Sequence, residues 1–368
     1  MRSMPACDPL AKPPPGEWPI EGLERLGVCP VCHSSASRVL YQDLQDRVFF
    51  CSPGRWTLHQ CGNCGTVYLD PRPNRATIGE AYRVYFTHQD TADPSAVPAN
   101  WRRHFRLALR NGYVNAKYGY SLSPSCSWGK FWLGETAKRE ADRVVRHLRF
   151  PGGQPRLLDL GCGNGAYLVQ MRAAGWVVCG LDPDEKAVEV CRKVGLAVDQ
   201  GFLSEARFPE HSFEAITMNH VMEHLHDPGE ILRICLRVLK PGGVLWLATP
   251  NPMSIGHARF RRHWFALDPP RHLVLFTLES LTALLRRTGF AMTIPPLASS
   301  GAKWLFRVSE AVARGRDPLN APGLSFLEKW RLKREARRAD RRADSNPHLA
   351  EELVIMAHKP AAERKKCP

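Results

Sequence analysis

Residues 157–165 read LLDLGCGNG, an apolar run that passes directly into a turn with glycine at every second position. Such a run predicts a buried strand, and the residues after it predict a helix over 165–174. Glycine lets the backbone turn tightly and approach a ligand, and the first N–H groups of a helix are free to bind one. This stretch therefore predicts a strand, a ligand-binding loop and a helix.

The same alternation continues along the chain. Strands are predicted at 156–160, 176–181, 196–198, 213–219, 244–248, 290–294 and 353–358, and helices at 165–174, 184–194, 228–239 and 278–288. The helix after the fourth strand has a clear start, with Asp227 as N-cap, Pro228 next and Glu230 closing a capping box. Strands that alternate with helices favour an α/β fold with a doubly wound, mostly parallel sheet, here of seven strands.

Asp182 ends the second predicted strand, 21 positions after Gly161. At this spacing a carboxylate can accept hydrogen bonds from a ribose diol. The glycines follow the pattern GxGxG, whereas dinucleotide-binding loops follow GxGxxG. A nicotinamide dinucleotide domain and a glycine-rich turn without a ligand remain as alternatives.

Together with LDPDEKAVE at 181–189, FEAITMNHVMEHLHDP at 213–228, LKPGGVLWLATPNP at 239–252 and HLVLFTLESLTALLRRTGF at 272–290, this loop makes the chain similar to a known family. It resembles the class I S-adenosylmethionine (SAM)-dependent methyltransferases of type 11, 12 and 23. The resemblance covers about residues 155–295 and the last strand, and it implies a Rossmann-like sheet.

The resemblance also implies roles for individual residues. Asp159, Gly161 and Gly163 would hold the methionine end of SAM, Asp182 its ribose and Pro183 the edge of its adenine. Phe202 would flank the adenine, and Asn219 with His220 would line the cleft beside the methyl group. With Cys162, the predicted cofactor-binding set is Asp159, Gly161, Cys162, Gly163, Asp182, Pro183, Phe202 and Asn219.

Methyl transfer to a hydroxyl or an acidic C–H requires removal of a proton, and an imidazole suits that task. The candidate bases are His272 in the loop after the fifth strand, His224 in a Glu-His pair, and His220. Each could instead only bond backbone or a glutamate. Residues 220–224 also match the H-x-x-E-H motif of zinc peptidases, which requires a helix where this sequence predicts the end of a strand.

Two C-x-x-C pairs, Cys29 with Cys32 and Cys61 with Cys64, are separated by 28 residues. Four thiolates in two such turns fit a structural zinc ion, which predicts a zinc ribbon. Free thiols or a redox pair are the alternatives, and His33, Cys51 or His59 could replace a ligand. The remaining cysteines fit buried positions in a reducing cytosol, so we predict a cytoplasmic protein.

The predicted organisation is a disordered lead over 1–25, a zinc ribbon over 26–75, a helical connecting or cap segment over 76–150, a SAM-binding domain over 151–295, a helical basic insertion over 296–351, and a final strand and tail over 352–368. The insertion offers helices near 301–314 and 324–344. No signal peptide or transmembrane span is predicted from the sequence.

The net charge of +15 is carried by two segments, because residues 101–149 have a net charge of +8 and residues 300–368 of +7. The arginine excess could also reflect genomic base composition. We expect a methyltransferase for a small or amphiphilic acceptor such as a saccharide, a lipid-linked compound or a secondary metabolite, and the basic segments would suit an anionic group on it. The alternatives are an RNA methyltransferase, a non-catalytic SAM-binding protein, and peripheral membrane contact through the apolar face of the 301–314 helix.

Overall fold

The computed structural model describes residues 14–83, 100–294, 301–319 and 323–361. Its N-terminal part is a small antiparallel unit. The strands are β1 (Leu23–Glu24), β2 (Ser37–Leu44), β3 (Trp56–Cys61), β4 (Val67–Leu69) and β5 (Arg72–Pro73). β2, β3 and β4 form one meander, and β1 pairs with β5.

The prediction of a disordered lead over residues 1–25 is wrong for residues 14–25; residues 1–13 lie outside the described part of the chain. Trp18 is buried and packs edge-to-face on Trp56 with a centroid distance of 5.5 Å. β1 then follows within the same segment. Burial of the apolar Trp18 ring explains why this segment is ordered, because packing the ring on Trp56 is more favourable than leaving it in water.

Three helices precede the large sheet: α1 (Trp101–Tyr118), α2 (Gly129–Trp132) and α3 (Glu135–Val144). The C-terminal half of α1 packs through Tyr113, Val114 and Tyr118 into the core below the sheet. Asn100 caps the start of α1 by accepting a hydrogen bond from the Arg102 amide at 3.0 Å.

The remaining elements contain all the predicted strands and helices, together with two that were not predicted, α7 and β11. They are β6 (Arg156–Leu160), α4 (Ala166–Ala173), β7 (Val177–Asp182), α5 (Glu185–Lys193), β8 (Val198–Gln200), β9 (Phe213–Asn219), α6 (Pro228–Val238), β10 (Leu239–Pro250), α7 (Ile255–Phe260), β11 (Val274–Leu275), α8 (Leu278–Thr288), β12 (Ala291–Thr293), α9 (Ala302–Ala313), α10 (Phe326–Ser345) and β13 (Glu352–His358). The seven-stranded sheet has the order β12-β13-β10-β9-β6-β7-β8.

This sheet is mostly parallel, and β13 alone among its seven strands runs antiparallel to both neighbours. The strand order reverses between β6 and β9, where the chain first winds outward to β7 and β8 and then returns. Residues on β6 alternate between two cores, with Leu158 and Leu160 on one face and Leu157 on the other. A sheet covered on both faces in this way leaves ligand binding to the carboxyl ends of its strands.

β11 connects the two sheets of the molecule. It leaves the region after β10 and pairs with β4, so that Val274 lies opposite Tyr68 and Leu275 opposite Val67. The N-terminal meander therefore becomes a four-stranded sheet in the order β11-β4-β3-β2. Thus the strand that extends the ribbon comes from the predicted SAM-binding segment.

The apolar face predicted for the 301–314 helix is not free. In α9 the side chains of Leu305, Val308 and Val312 are buried, and Trp304 packs edge-to-face on Phe265 at 4.9 Å. The fold therefore uses most of this face for packing, Trp304 remains 45% exposed, and the expected membrane contact through it stays a prediction. Among the described residues, no helix is both long and apolar enough to cross a bilayer.

Candidate functional site

The glycine loop lies at the carboxyl end of β6, beside the point where the strand order reverses. Gly161, Gly163 and Gly165 all have positive φ, at 65°, 52° and 77°. A Cβ at position 161 would lie 2.6 Å from Val221 Cγ2, and one at position 165 would lie 2.5 Å from Leu196 Cδ1. The positive φ and the close neighbours both disfavour a side chain at these positions, so glycine is required. The loop therefore presents backbone without side chains at this edge of the sheet.

Asp182 ends β7, next to this loop, and is buried. Its Oδ2 accepts a hydrogen bond from the Gly163 amide at 2.8 Å, and its Oδ1 accepts one from the Asp184 amide at 3.0 Å. A carboxylate has about four acceptor positions. The two backbone bonds therefore fix its orientation and leave capacity for a diol, which fits the predicted ribose contact.

Asp159 lies behind the loop and is buried. Its Oδ1 accepts hydrogen bonds from Arg146 Nη1 at 2.5 Å and Thr217 Oγ1 at 2.6 Å. The Arg146 guanidinium also stacks over the Tyr167 ring, 3.5 Å from its centroid. Burial raises the pKa of Asp159, and the Arg146 charge opposes that rise. The predicted contact of Asp159 with the methionine end of SAM stays a prediction.

The other predicted cofactor residues border the same edge. Pro183, Phe202 and Asn219 are exposed, whereas Cys162 is buried. Pro183 directly follows β7, Phe202 follows β8 and Asn219 ends β9. Because these three strands are parallel, their carboxyl ends lie at one edge of the sheet. The exposed rings and the amide are thus accessible to a ligand that lies across the loop.

His220 follows β9 with a positive φ of 55°. Its Nδ1 lies 3.1 Å from Glu223 Oε1, and its Nε2 lies 3.0 Å from Glu352 Oε1. Burial disfavours the charged ring, but hydrogen bonds to both carboxylates outweigh it and raise the pKa of His220 to about 10. Both nitrogens then carry protons at neutral pH, so a base role for His220 requires the release of one carboxylate.

Glu223 is fully buried between His220 and Thr249, whose Oγ1 donates to Glu223 Oε2 at 3.0 Å. Burial alone would raise the pKa of Glu223, but the hydrogen bond and charge of His220 lower it to about 2. The carboxylate is therefore ionised. It belongs to a short turn, Met222–His224, that directly follows the sheet edge.

His224 and His272 meet beside this carboxylate, with ring centroids 4.8 Å apart. His224 Nδ1 lies 3.0 Å from the Arg271 carbonyl and 2.8 Å from the Tyr82 hydroxyl, and His272 Nδ1 lies 2.8 Å from the Ala266 carbonyl. A carbonyl only accepts, so both Nδ1 atoms carry the proton and both Nε2 atoms keep a lone pair. Burial, together with His272, lowers the pKa of His224 to about 4.

These side chains could also hold a cation. One ligand atom from each of Glu223, His224 and His272 lies within 4.8 Å of the others. The hydrogen bonds from their Nδ1 atoms to backbone carbonyls orient both rings, as such bonds do for histidines that bind metals. The same geometry also serves proton transfer, since it places two imidazoles next to an ionised carboxylate.

The four predicted zinc ligands converge at one end of the ribbon. Cys29 Sγ lies 3.7 Å from Cys64 Sγ, and Cys32 Sγ lies 3.5 Å from Cys61 Sγ. In tetrahedral coordination with zinc–sulfur bonds of about 2.3 Å, the sulfur atoms are about 3.8 Å apart. Backbone amides of Val31 and Asn63 point at Cys29 and Cys61 sulfurs at 3.4 Å. The donor set and its spacing therefore fit zinc.

Arg271 joins the ribbon to the histidine site. It is fully buried, and it donates to Asp46 in the loop after β2 and to Asp268 in the loop before β11. Burial would raise the pKa of Asp46, but Arg271 lowers it to about 2. The Arg271 carbonyl is also the partner of His224. One residue thus ties the ribbon, the loop and the candidate base together.

Sequence reasoning missed the contributions of Arg146, Thr249 and Glu352, and it missed the pairing of Arg271 with Asp46. The order of strands could have indicated Glu352, because β13 beside β10 places it opposite Pro250. Arg146 lies in a connecting segment without a family motif, at a positive φ of 49°. Its role had no sequence signal.

Comparison with known proteins agrees with this geometry. The profile of a family described as "Methyltransferase domain" matches residues 133–293. A ubiquinone biosynthesis O-methyltransferase from Caulobacter vibrioides is 36% identical over 105 residues, which are 26% of this chain and 40% of that protein. One from Xanthomonas oryzae pv. oryzae is 40% identical over 117 residues, 30% of this chain and 48% of its own length. The aligned parts span less than half the length of these relatives.

Solved structures also resemble the chain. A SAM-dependent methyltransferase from Mesorhizobium loti has a TM-score of 0.40 and 19% identity, and it covers 61% of this chain and 98% of its own. One from Archaeoglobus fulgidus has a TM-score of 0.40 and 20% identity, with 60% and 94% covered.

Proposed function

We propose that this chain, whose residues 133–293 form a methyltransferase domain, transfers a methyl group from SAM to a small or amphiphilic acceptor. The observation that carries the proposal is the glycine loop at the reversal of strand order. Asp182 lies beside this loop, and two backbone amides orient its carboxylate. Clefts at this point of a doubly wound sheet bind ligands with a ribose. When bound, SAM supplies a methyl group on a positively charged sulfur.

The residues of the chain bind, orient and deprotonate in this proposal. Asp182 accepts from the ribose hydroxyls, the backbone of Gly161 and Gly163 cradles the methionine end, and Pro183 with Phe202 flanks the adenine. Asn219 lies at the end of β9, where the acceptor meets the loop. Fixing both reactants in this way supplies most of the acceleration that a displacement reaction needs.

The base is proposed among His220, His224 and His272, and His224 has the best support. Its Nδ1 lies 3.0 Å from the Arg271 carbonyl, which leaves the Nε2 lone pair to take a proton. It is also less buried than His272, and unlike His220 it is not held between two carboxylates. The ionised Glu223 beside it would stabilise the imidazolium that forms when His224 takes the proton.

The acceptor class is proposed from two sources. The curated relatives are named O-methyltransferases of ubiquinone biosynthesis, which supports transfer to an oxygen atom of a small molecule. The exposed arginines of α10 would suit an anionic group on that molecule. Saccharides, lipid-linked compounds and secondary metabolites with such a group are the substrates to test, in a cytoplasmic setting.

Cofactor binding is tested by calorimetric titration of the zinc-loaded protein with SAM. Asp182→Asn should weaken SAM binding by about 10- to 100-fold, since a hydrogen bond to a charged group is worth about 1.5–3 kcal/mol. Asp184→Asn is the matched control, because Asp184 caps α5 by accepting from the Lys186 amide at 3.0 Å and asparagine can accept the same bond. If both variants bind SAM like the parent, the cofactor site is not at this loop.

The base is tested by methyl transfer with isotope-labelled SAM. His224→Gln should lower the transfer rate by about a hundredfold, as loss of a general base does, while SAM affinity changes less than twofold. His226→Gln is the control, since its ring bonds the Pro73 carbonyl away from the cluster. A His272→Gln variant that loses transfer while His224→Gln keeps it would assign the base to His272.

The acceptor is tested by incubating the protein with labelled SAM and a cell extract. We expect a small product heavier by one CH2 unit. The alternative, an RNA methyltransferase, predicts that label enters RNA and that RNA affinity falls steeply with salt. If no acceptor of either kind is labelled while SAM is bound, the protein is a non-catalytic SAM-binding protein.

A further inference from the structure

Five large aromatic side chains on α1 and α2 face solvent in the described part of the chain. Trp101 and Phe105 lie in the first half of α1, and Trp128, Phe131 and Trp132 lie on or just before α2. Their exposed fractions range from 51% to 72%. Single exposed aromatics are ordinary, but five of them on two packed helices mark a surface that contacts another body.

The two helices hold these rings outward by a rigid attachment. Gly112 of α1 and Gly129 of α2 let the two backbones touch, because a Cβ at either position would overlap a carbonyl of the other segment. Asn115 holds Leu122 through two hydrogen bonds of 2.8 and 3.0 Å, and the Cys126 amide donates to the Ala108 carbonyl at 2.9 Å. The exposed rings therefore sit on a fixed element, and not on a loose chain.

The α1–α2 segment itself carries charge of one sign, and the first carboxylate after it is Glu135 at the start of α3. Residues 100–134 contain six cationic side chains and no Asp or Glu. Five of the cations are exposed; Lys117 pairs with Asp142 at 2.8 Å, and Arg102, Arg103, Arg106 and Lys130 are the other four. Arg102 lies over the Trp101 ring and Lys130 over the Phe131 ring, at 5.4 and 4.8 Å from the centroids. Each of the two helices therefore has a cation beside one of its exposed rings.

We propose that the surface formed by Trp101, Phe105, Trp128, Phe131 and Trp132, with the four cations around it, docks the protein on an anionic lipid bilayer. Tryptophan and phenylalanine enter the headgroup region with their rings while arginine and lysine remain at the phosphates. Anionic lipids attract basic residues that lie close to the bilayer surface. Residues 100–134 supply exposed aromatic rings for the headgroup region and cations for the phosphates, and they contain no carboxylate.

Other occupants fit less well. A second copy of the same surface would bring eight cations together without a counter-charge. Single-stranded RNA stacks its bases on aromatic platforms inside a basic groove, whereas these rings lie on two helices and pack edge-to-face, as Trp128 and Trp132 do at 6.3 Å. Both occupants are distinguished from the bilayer by the experiment.

The experiment is co-sedimentation of the full zinc-loaded chain with vesicles of phosphatidylcholine, with or without about 30% phosphatidylglycerol. The parent protein should bind the anionic vesicles, and salt should weaken binding. The triple variant W128S/F131S/W132S should bind about tenfold more weakly. F326S/W330S is the matched control, because these rings are also exposed, on α10 beside arginines, and this pair should bind like the parent.

Circular dichroism shows whether each variant is folded, and quenching of tryptophan by brominated lipid reports ring insertion independently. Three results would overturn the proposal. The parent does not bind anionic vesicles, the triple variant binds them like the parent, or F326S/W330S loses binding instead. Light scattering that shows a dimer lost in the triple variant, or polyuridylate binding lost in it, with no vesicle binding by the parent, would assign the surface to that partner instead.

Discussion

At the scale of single residues, Arg271 is a fully buried cation. It lies in the interior with two carboxylates, and its guanidinium also covers the Phe49 ring at 4.4 Å from the centroid. A buried ion network of this kind adds little stability by itself, but removing one member leaves uncompensated charges. The sequence stretch 269–272, PPRH, indicated a loop near the substrate, yet it did not indicate that Asp46 lies 225 positions away as a partner.

Arg271→Met should lower the free energy of unfolding by about 3–5 kcal/mol, because Asp46 and Asp268 remain buried without their cation. Urea denaturation measures the change. The control is Arg75→Met, since the Arg75–Glu230 pair is exposed and its loss should cost less than about 1 kcal/mol. Equal denaturation midpoints for Arg271→Met and the parent would contradict the assignment of Arg271 as the tie between ribbon and loop.

Glu351 gives the folded chain a pH dependence near neutrality. Its side chain is buried, and its Oε1 accepts from the Gly256 amide at 2.6 Å. Burial raises the pKa of Glu351 from 4.5 to about 7. Between these two pH values the folded state keeps a proton that the unfolded state has lost, so this group lowers stability as pH rises.

Glu351→Gln should therefore match the parent at pH 5 and exceed it at pH 8 by up to about 3 kcal/mol, since one pKa unit corresponds to about 1.4 kcal/mol. Thermal unfolding at both pH values measures the difference. Glu140→Gln on the exposed side of α3 is the control and should show no such pH effect. A variant that is equally affected at both pH values would place the raised pKa elsewhere.

At the scale of elements, the sequence predicted most of the sheet because its signals are local. The run ending at Leu160, the cap at Asp227 and the helix Leu278–Thr288 each depend on neighbours in sequence, and the structure confirms them. β11 was missed because two residues form it, and its partner is a strand of the ribbon about 200 positions earlier. Pairing over such a distance leaves no local pattern.

The α1–α2 pair is another element that local patterns did not predict in detail. Gly129→Ala should detach α2, because the added methyl group overlaps the Leu109 carbonyl of α1. Hydrogen exchange should then rise in residues 122–132 and remain unchanged in the large sheet. Gly134→Ala is the control, since a methyl group there meets no neighbour within 4 Å. Unchanged exchange in both variants would show that α2 tolerates the contact.

At the scale of the whole molecule, the two basic segments found in the sequence meet, but they do not form one continuous basic surface. Arg139 of α3 pairs with Asp344 of α10, and Arg143 pairs with Glu352 at 3.5 Å. The two segments therefore meet through ion pairs in which the first segment supplies the arginines and the second supplies the carboxylates. The first segment keeps its free cations on the α1–α2 surface, whereas the second keeps them along α10.

Hydrogen bonds join the ribbon to the large-sheet part of the molecule beside the histidine site. Leu273 donates to the Glu223 carbonyl at 2.7 Å and accepts from the Leu69 amide at 3.0 Å, and Thr277 donates to the Cys64 carbonyl at 3.3 Å. His272 lies directly before this bridge. Loss of zinc should therefore disturb the position of the imidazoles while the loop at Gly161–Gly165, on strands distant from the ribbon, keeps its shape.

Cys61→Ser should lose zinc, lower the melting temperature, and reduce methyl transfer at least tenfold while SAM affinity changes less than threefold, because only the histidine side of the site depends on the ribbon. Zinc content, thermal unfolding, calorimetry and labelled transfer measure the four quantities. Cys126→Ser is the control, a cysteine outside the four-thiol group, and should leave zinc and transfer unchanged. Parallel loss of SAM affinity and transfer would show that the ribbon supports the whole cleft, and unchanged transfer after zinc loss would show that it supports neither side.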